Sequence, residues 1–371
     1  MTQGKILFLE QFGDMGGGQT VLLSLVQAAL ATGAQVTVMA PGGGPLQKSL
    51  KDRHGRALSF LDCPEPRLTH GRKTAWDILR ALAYGLYFLR HLSLLRRQDV
   101  IYINGMRHLP HVLALSPLLR AAIFCHVHLL PATAERLLLK LATGKIRPFR
   151  LLANSSFIAA HAGIASKHIH LIENALSPVF AQQPFRNRFA SIGAPWRCAI
   201  IGTVRENKGQ GVAINAVTGR TNVSLHIIGR DGDGAEDWIR GIRKTAPANV
   251  HFTGPSADLP VTLETHGIQF SLVLSQMEEA FGLVAIESMA CSCITIVSGR
   301  GGLEEIAAHT GALLARDARE LEQMLDWLFA MPGDALAALA RAQYDATQQR
   351  YAPARFHDEV RSLLGAALAR P

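Results

Sequence analysis

An α/β fold of two parallel-sheet units in series is what this 371-residue sequence predicts. Three observations carry the prediction. Short apolar runs alternate with longer apolar stretches of helical period, the pattern of strand–helix–strand units around a parallel sheet. The pattern starts twice, at KILFLE (5–10) and at CAIIG (198–202), and each first run leads into a glycine-bearing loop. The length suffices for two or three domains with real cores, and 48% hydrophobic against 18% charged residues is a globular balance.

Taken in order, 5–10 reads as the first strand. The loop QFGDMGGG (11–18) follows, then an apolar helix from about 19 to 31, a stop at Gly33 and a second strand at 35–39 before PGGG (41–44). Gly16-Gly17-Gly18 is not a strict dinucleotide fingerprint. Glycines here let backbone N–H groups approach a phosphate or sugar at a helix start; a tight turn is the competing reading. Residues 75–97 form a long apolar helix pattern with Arg80, Arg90, Arg96 and Arg97, and with 136–150 make a basic, Leu-rich surface. That surface suits a helix lying on anionic lipid. It suits a packed helix with a charged rim equally well, because the arginines do not share one face. Runs 99–104 and 121–127 are further parallel strands. The second leads into His126-Val127-His128, with both histidines on one strand face at the end where such folds keep their ligands. Stretches 153–156 and 169–174 read as the last strands of the first unit, and 177–195, without periodicity, as a linker.

In the second unit the first loop is Gly202-Thr203-Val204-Arg205-Glu206-Asn207-Lys208-Gly209. A strand at 224–229 ends in Asp231-Gly232-Asp233, whose setting favours turn residues over a metal pair. After 250–254 comes the most informative stretch, 270–310. An apolar run ends at Ser275, a polar loop reaches Glu279, and Phe281-Gly282 precede an apolar helix with Glu287 in its early turns. A second run, 294–297, ends in a loop with Gly299, Gly301 and Gly302. Two carboxylates straddle a helix start whose free N–H groups and dipole suit a phosphate. A carboxylate cannot pair with a phosphate, so these two face hydroxyls, on a ligand carrying both sugar and phosphate. The chemistry is that of a nucleotide sugar. The Ala/Leu-rich end, about 318–371, is helical and broken at Tyr351-Ala352-Pro353.

Glu279-x-Phe281-Gly282, Glu287, Met289-Ala290 and Gly301-Gly302-x-x-Glu305 resemble the signature of the family 4 retaining glycosyltransferases. The resemblance implies the GT-B fold, two Rossmann-like domains with parallel sheets facing a central cleft. It implies an N-terminal acceptor-binding domain (1–180), a linker (181–196), a nucleotide-sugar-binding domain (197–350) and a last helix (351–371) crossing back to the first domain. It implies that Glu279 contacts the donor sugar, Glu287 the ribose, and the backbone at Phe281, Gly282 and Leu283 the sugar and phosphates. Lys208-Gly209 matches the family's Lys-Gly, so Lys208 pairs with the diphosphate. The family's arginine position holds Thr203 here, and Arg205 stands two residues on as a substitute. Gly17 and Gly18 match the loop facing the diphosphate, and His128, with His126 as fallback, the histidine near the donor sugar. Ala175, Ser292 and Ile294 depart from the family's usual Gly, Gly and Pro.

The implied activity is a retaining, metal-independent transfer of a hexose from a nucleoside diphosphate sugar, UDP favoured over GDP, to an acceptor hydroxyl. No cofactor is implied beyond that co-substrate. Partners are the donor and a glycan or lipid-linked acceptor, in bacterial cell-surface polysaccharide, lipopolysaccharide or glycolipid synthesis. Alternatives are a nucleotide-sugar epimerase of the same fold, or a non-catalytic glycan- or lipid-binding protein; an oxidoreductase is discounted for want of its fingerprint. Charge adds to this: residues 1–180 hold 20 Lys and Arg against 9 Asp and Glu, the remainder 18 against 20. A basic half meets something anionic, and an anionic membrane or diphosphate lipid fits better than nucleic acid, for which no motif appears. Five scattered cysteines suit a reducing compartment, and Cys291-x-Cys293 reads as buried thiols. The first residues do not read as a signal peptide and no apolar run is long enough to span a membrane, so the expected location is cytoplasmic, peripheral on the inner membrane face.

Overall fold

The computed structural model describes residues 3–65, 75–190 and 195–369, and within the helix Ala75–Arg90 the side chains from 83 on. The chain divides into two compact units: Met1–Asn174 with Ala354–Pro371, and Ala175–Pro353.

The first unit is built on seven strands: β1 (Lys5–Glu10), β2 (Gln35–Ala40), β3 (Leu58–Asp62), β4 (Val100–Asn104), β5 (Ala122–Val127), β6 (Phe149–Ala153) and β7 (Ile169–Leu171). They pair in the order β3-β2-β1-β4-β5-β6-β7, every pair parallel. The second unit holds β8 (Trp196–Ile201), β9 (Val223–Ile228), β10 (Val250–Gly254), β11 (Phe270–Val273), β12 (Ile294–Val297) and β13 (Leu313–Leu314), in the order β10-β9-β8-β11-β12-β13, again all parallel. Helices cover a parallel sheet on both faces, so its central strands are buried throughout and apolar without alternation. β4, β5 and β12 are fully buried along their length. Strand order reverses between β1 and β4 and between β8 and β11. At such a switch point neighbouring loops diverge and leave a crevice at the carboxyl ends of the strands.

Several boundaries differ from expectation. The first helix runs Gly17–Leu30, two residues early, because Gly16 lies extended and its carbonyl accepts the first helical bond from Thr20 N at 2.9 Å. The 75–97 pattern is two helices, Ala75–Arg90 and Leu92–Arg96. They part at His91, whose Nδ1 lies 2.9 Å from the Tyr87 carbonyl and whose N–H is shared between Tyr87 and Phe88. Arg80 lies outside the described side chains. The 136–150 stretch splits into the helix Thr133–Lys145 and the start of β6, which buries Phe149. Of residues 153–156 only Ala153 is strand, the last residue of β6; 154 and 155 are a turn and Ser156 starts a helix. β3 is an edge strand that no pattern foretold.

The expected linker belongs largely to the second unit. Phe180 and Phe189 are buried in its two core clusters, and Phe189 meets Phe270 edge-on with centroids 5.6 Å apart. Isolated aromatic anchors leave no period, so the stretch reads as a linker while being pinned down. Residues 191–194 of it lie outside the described part. The boundary therefore falls at Asn174/Ala175 rather than at 180, and the last helix, Pro353–Leu368, clusters with the first unit. Its Leu368 packs over Gly4, and its Arg355 pairs with Glu173 at 3.1 Å.

Ser292 explains one departure from the family pattern. Its φ is +64°, a left-handed conformation that favours glycine. The serine is buried, and its Oγ accepts from Arg186 N at 3.0 Å. All five cysteines are buried and free; burial pushes the Cys293 thiol up to about 11. Among the described residues no helix is long and apolar enough to cross a membrane.

Candidate functional site

In the second unit the site is made by two loops at the β8–β11 switch. The loop after β8 turns at Gly209, whose φ is +83° and where a Cβ would overlap the Leu274 carbonyl; only glycine lets the loops lie this close. Gln276 N donates to the Asn207 carbonyl at 2.8 Å and ties them together. This brings Lys208 to Glu279: Nζ stands 2.8 Å from Oε1 and 3.1 Å from Oε2. The Ser275 hydroxyl reaches Glu279 Oε2 at 3.3 Å. The pair is open to solvent, 39% for Lys208 and 25% for Glu279, so it contributes at most about 1 kcal/mol to stability and is free to exchange for a ligand.

Behind Glu279 the glycine loop after β12 closes up. Gly301 bridges Glu279 as an isolated parallel pair, and Gly302 N donates to the Glu279 carbonyl at 2.7 Å. Gly282, with φ +108°, then turns the chain into the helix Leu283–Ala290, and a Cβ there would overlap Leu303. The N–H groups of Leu283 and Val284 have no intrahelical acceptor, while Ala285 N donates to the Gly282 carbonyl at 3.0 Å, and this end of the helix carries its positive pole. Glu287 lies one turn further in. It is half-buried, its carboxyl accepts no hydrogen bond among the described residues, and burial pushes that carboxyl up to about 7. A carboxylate in that position is stabilised by any ligand that brings hydroxyl donors.

Two expected residues sit elsewhere. Phe281 is buried in the core, edge-on to Tyr351 with centroids 5.6 Å apart, so its ring anchors the loop and only its backbone is near the site. Arg205 is exposed, and its Nη2 donates to the Asp233 carbonyl at 2.9 Å. It lines an open hollow of about 610 Å³ with Asn207, Trp238, Gln276 and Met277, and is not brought to the Lys208–Glu279 pair. The turn around Asp231 and Asp233 is a structural corner: Asp231 pairs with Arg243 at 2.9 Å. Arg300, between Gly299 and Gly301, escaped the sequence reading. Its Nε is buried without a partner and it makes no ion pair among the described residues.

In the first unit the equivalent place is the β1–β4 switch. Gly17 and Gly18 open the helix Gly17–Leu30 with exposed or half-exposed backbone. His128, just past β5, lies against Gly18, where a Cβ would come to 3.3 Å of its Cδ2. Its Nε2 is 2.7 Å from Asn104 Oδ1, and burial holds the ring neutral, with a pKa of about 4. His126, the fallback, is buried and bonded to the Tyr102 hydroxyl at 2.9 Å; it supports the strand. Glu10 and Asn104, which hold this corner together, were missed. The available signal was a polar residue closing each apolar strand.

Comparison with known proteins agrees with this architecture. Residues 182–346, a little under half the chain, match the family model described as glycosyl transferases group 1. Among solved structures, Anabaena Alr3699/HepE in complex with UDP and glucose superposes with a TM-score of 0.79 at 18% identity, covering 98% of this chain and 100% of that one. Sucrose-phosphate synthase from Thermosynechococcus elongatus gives 0.79 at 19%, covering 99% and 100%. The fold is GT-B. WaaG, a glycosyltransferase involved in lipopolysaccharide biosynthesis, superposes with a TM-score of 0.66 at 16% identity, over 96% of this chain and 99% of its own. No curated protein matches the sequence. The family match falls on the GT-B unit that carries Lys208, Glu279 and Glu287.

Proposed function

We propose that the protein is a retaining glycosyltransferase that moves a hexose from a nucleoside diphosphate sugar, with UDP as the nucleotide, to an acceptor hydroxyl. The observation that carries this reading is Glu287, a half-buried carboxyl without a partner one turn inside the helix that Gly282 opens, three residues after the Glu279 that pairs with Lys208. Ribose hydroxyls supply the donors Glu287 lacks. Glu279 takes the hydroxyls of the sugar, and Lys208, released from it, pairs with the diphosphate. Lys208 and the N–H groups from Leu283 stabilise the leaving diphosphate without a metal, so catalysis is positioning and electrostatics. UDP is favoured because the superposed Anabaena protein is seen with UDP and glucose. The acceptor is a glycan or lipid-linked sugar of a bacterial surface polymer, in keeping with the involvement of WaaG in lipopolysaccharide biosynthesis.

A thermal-shift panel of UDP, GDP, ADP and their sugars tests the donor site. UDP and UDP-glucose should stabilise the full chain. Lys208→Ala removes a charge-assisted contact of roughly 1.5–3 kcal/mol and should weaken binding about 10- to 100-fold. A folded chain that responds to no nucleotide would sink the reading. The basic first unit is proposed to meet an anionic lipid surface. Sedimentation with phosphatidylglycerol vesicles should therefore show binding at low salt that fades as ionic strength rises.

A further inference from the structure

Three strands of the first sheet end in one chain of hydrogen bonds that the function above does not use. β1 ends in Glu10 and β4 in Asn104, direct partners in the sheet register, and His128 follows β5. Glu10 is fully buried and accepts from four N–H donors: Gln11 N at 2.6 Å, Phe12 N at 2.9 Å, Gln19 Nε2 at 3.0 Å and Asn104 Nδ2. Asn104 Nδ2 also donates to the Gly18 carbonyl at 3.2 Å. Turning the Asn104 amide over would set its oxygen against a carboxylate and a carbonyl. Its orientation is therefore forced, and Oδ1 faces His128 Nε2 at 2.7 Å. An amide oxygen only accepts, so Nε2 carries the proton. The ring is neutral, which leaves the lone pair on Nδ1, and no group bonds Nδ1 among the described residues.

We propose that Glu10 and Asn104 are positioning residues that lock His128 in its Nε2–H tautomer, making Nδ1 a fixed acceptor for a substrate hydroxyl. The logic is that of a buried carboxylate setting a histidine tautomer, here relayed through an amide. A neutral imidazole presenting a lone pair repels a phosphate oxygen and takes an O–H donor. His128 therefore reads a sugar hydroxyl and takes no part in holding the diphosphate. Only the identity of that ligand rests on the glycosyltransferase reading; the lock does not.

Two-bond proton–nitrogen spectra of the full-length 15N-labelled chain test it, with His128→Gln identifying the signal among 15 histidines. The expected result is a single neutral pattern with the proton on Nε2, unchanged from pH 5 to pH 8. In Asn104→Ala the pattern should average between tautomers. An Nδ1–H or imidazolium pattern in the unaltered chain overturns the lock, and this needs no variant to fold. A folded Asn104→Ala chain that keeps the pure Nε2–H pattern overturns it too. The expected pattern in a chain that shows no nucleotide shift supports the lock and counts only against the donor site.

Discussion

At the scale of single residues, the ribose contact proposed for Glu287 would couple ligand binding to protonation. Its folded pKa of about 7 lies above the ordinary value of 4.5, so the fold favours the neutral form. Its contribution is intact below about pH 4.5 and lost as pH rises through 7, by up to about 3 kcal/mol. Urea denaturation should find Glu287→Gln more stable than the native chain at pH 8 and nearly equal at pH 4.5. Ribose hydroxyls favour the ionised form, so binding of UDP-glucose, whose diphosphate does not titrate near neutrality, should tighten as pH rises from 6 to 8. In Glu287→Gln that dependence should flatten. Equal pH profiles by calorimetry for the two chains would count against Glu287 as the ribose residue.

At the scale of elements, the helix Leu283–Ala290 is aimed by one glycine. Gly282 holds φ +108°, and any Cβ there overlaps Leu303. Gly282→Ala meets strain and overlap together, and should cost about 2–4 kcal/mol in urea denaturation while abolishing UDP stabilisation. Normal UDP binding in that variant would show that the helix start does not place the phosphate. The glycine loop around Gly301 and the Glu279 backbone form one clasp, so changes at Gly301 should also reach Glu279 and its pairing with Lys208.

At the scale of the whole molecule, chain order and unit membership differ. The last helix buries Phe356, Val360 and Leu364, and its Leu368 and Arg355 contact Gly4 and Glu173 of the first unit. Removing 353–371 deletes buried side chains worth about 1.5–3 kcal/mol each, in total comparable to the stability of a domain. Calorimetry of the shortened chain should show the first unit's transition lowered or lost, with the second still raised by UDP. Loss of the nucleotide response alone would reverse that assignment.

The sequence by itself determined the α/β class, most of the strands and the loops on which the candidate donor residues stand. Those signals are local: an unbroken apolar run marks a doubly covered parallel strand, and Lys208, Glu279, Gly282 and Glu287 follow strand ends closely enough to be read in place. Only the tertiary structure decided what depends on distant partners. Glu10 and Asn104 stand 94 residues apart and meet because β1 and β4 are neighbours in the sheet. Phe281 went to the core and Arg205 to the Asp233 carbonyl because packing and backbone acceptors compete for side chains that spacing leaves free. The fit of 175–190 to the second unit rests on single aromatic anchors, which bury as much surface as a periodic face yet write no period into the chain.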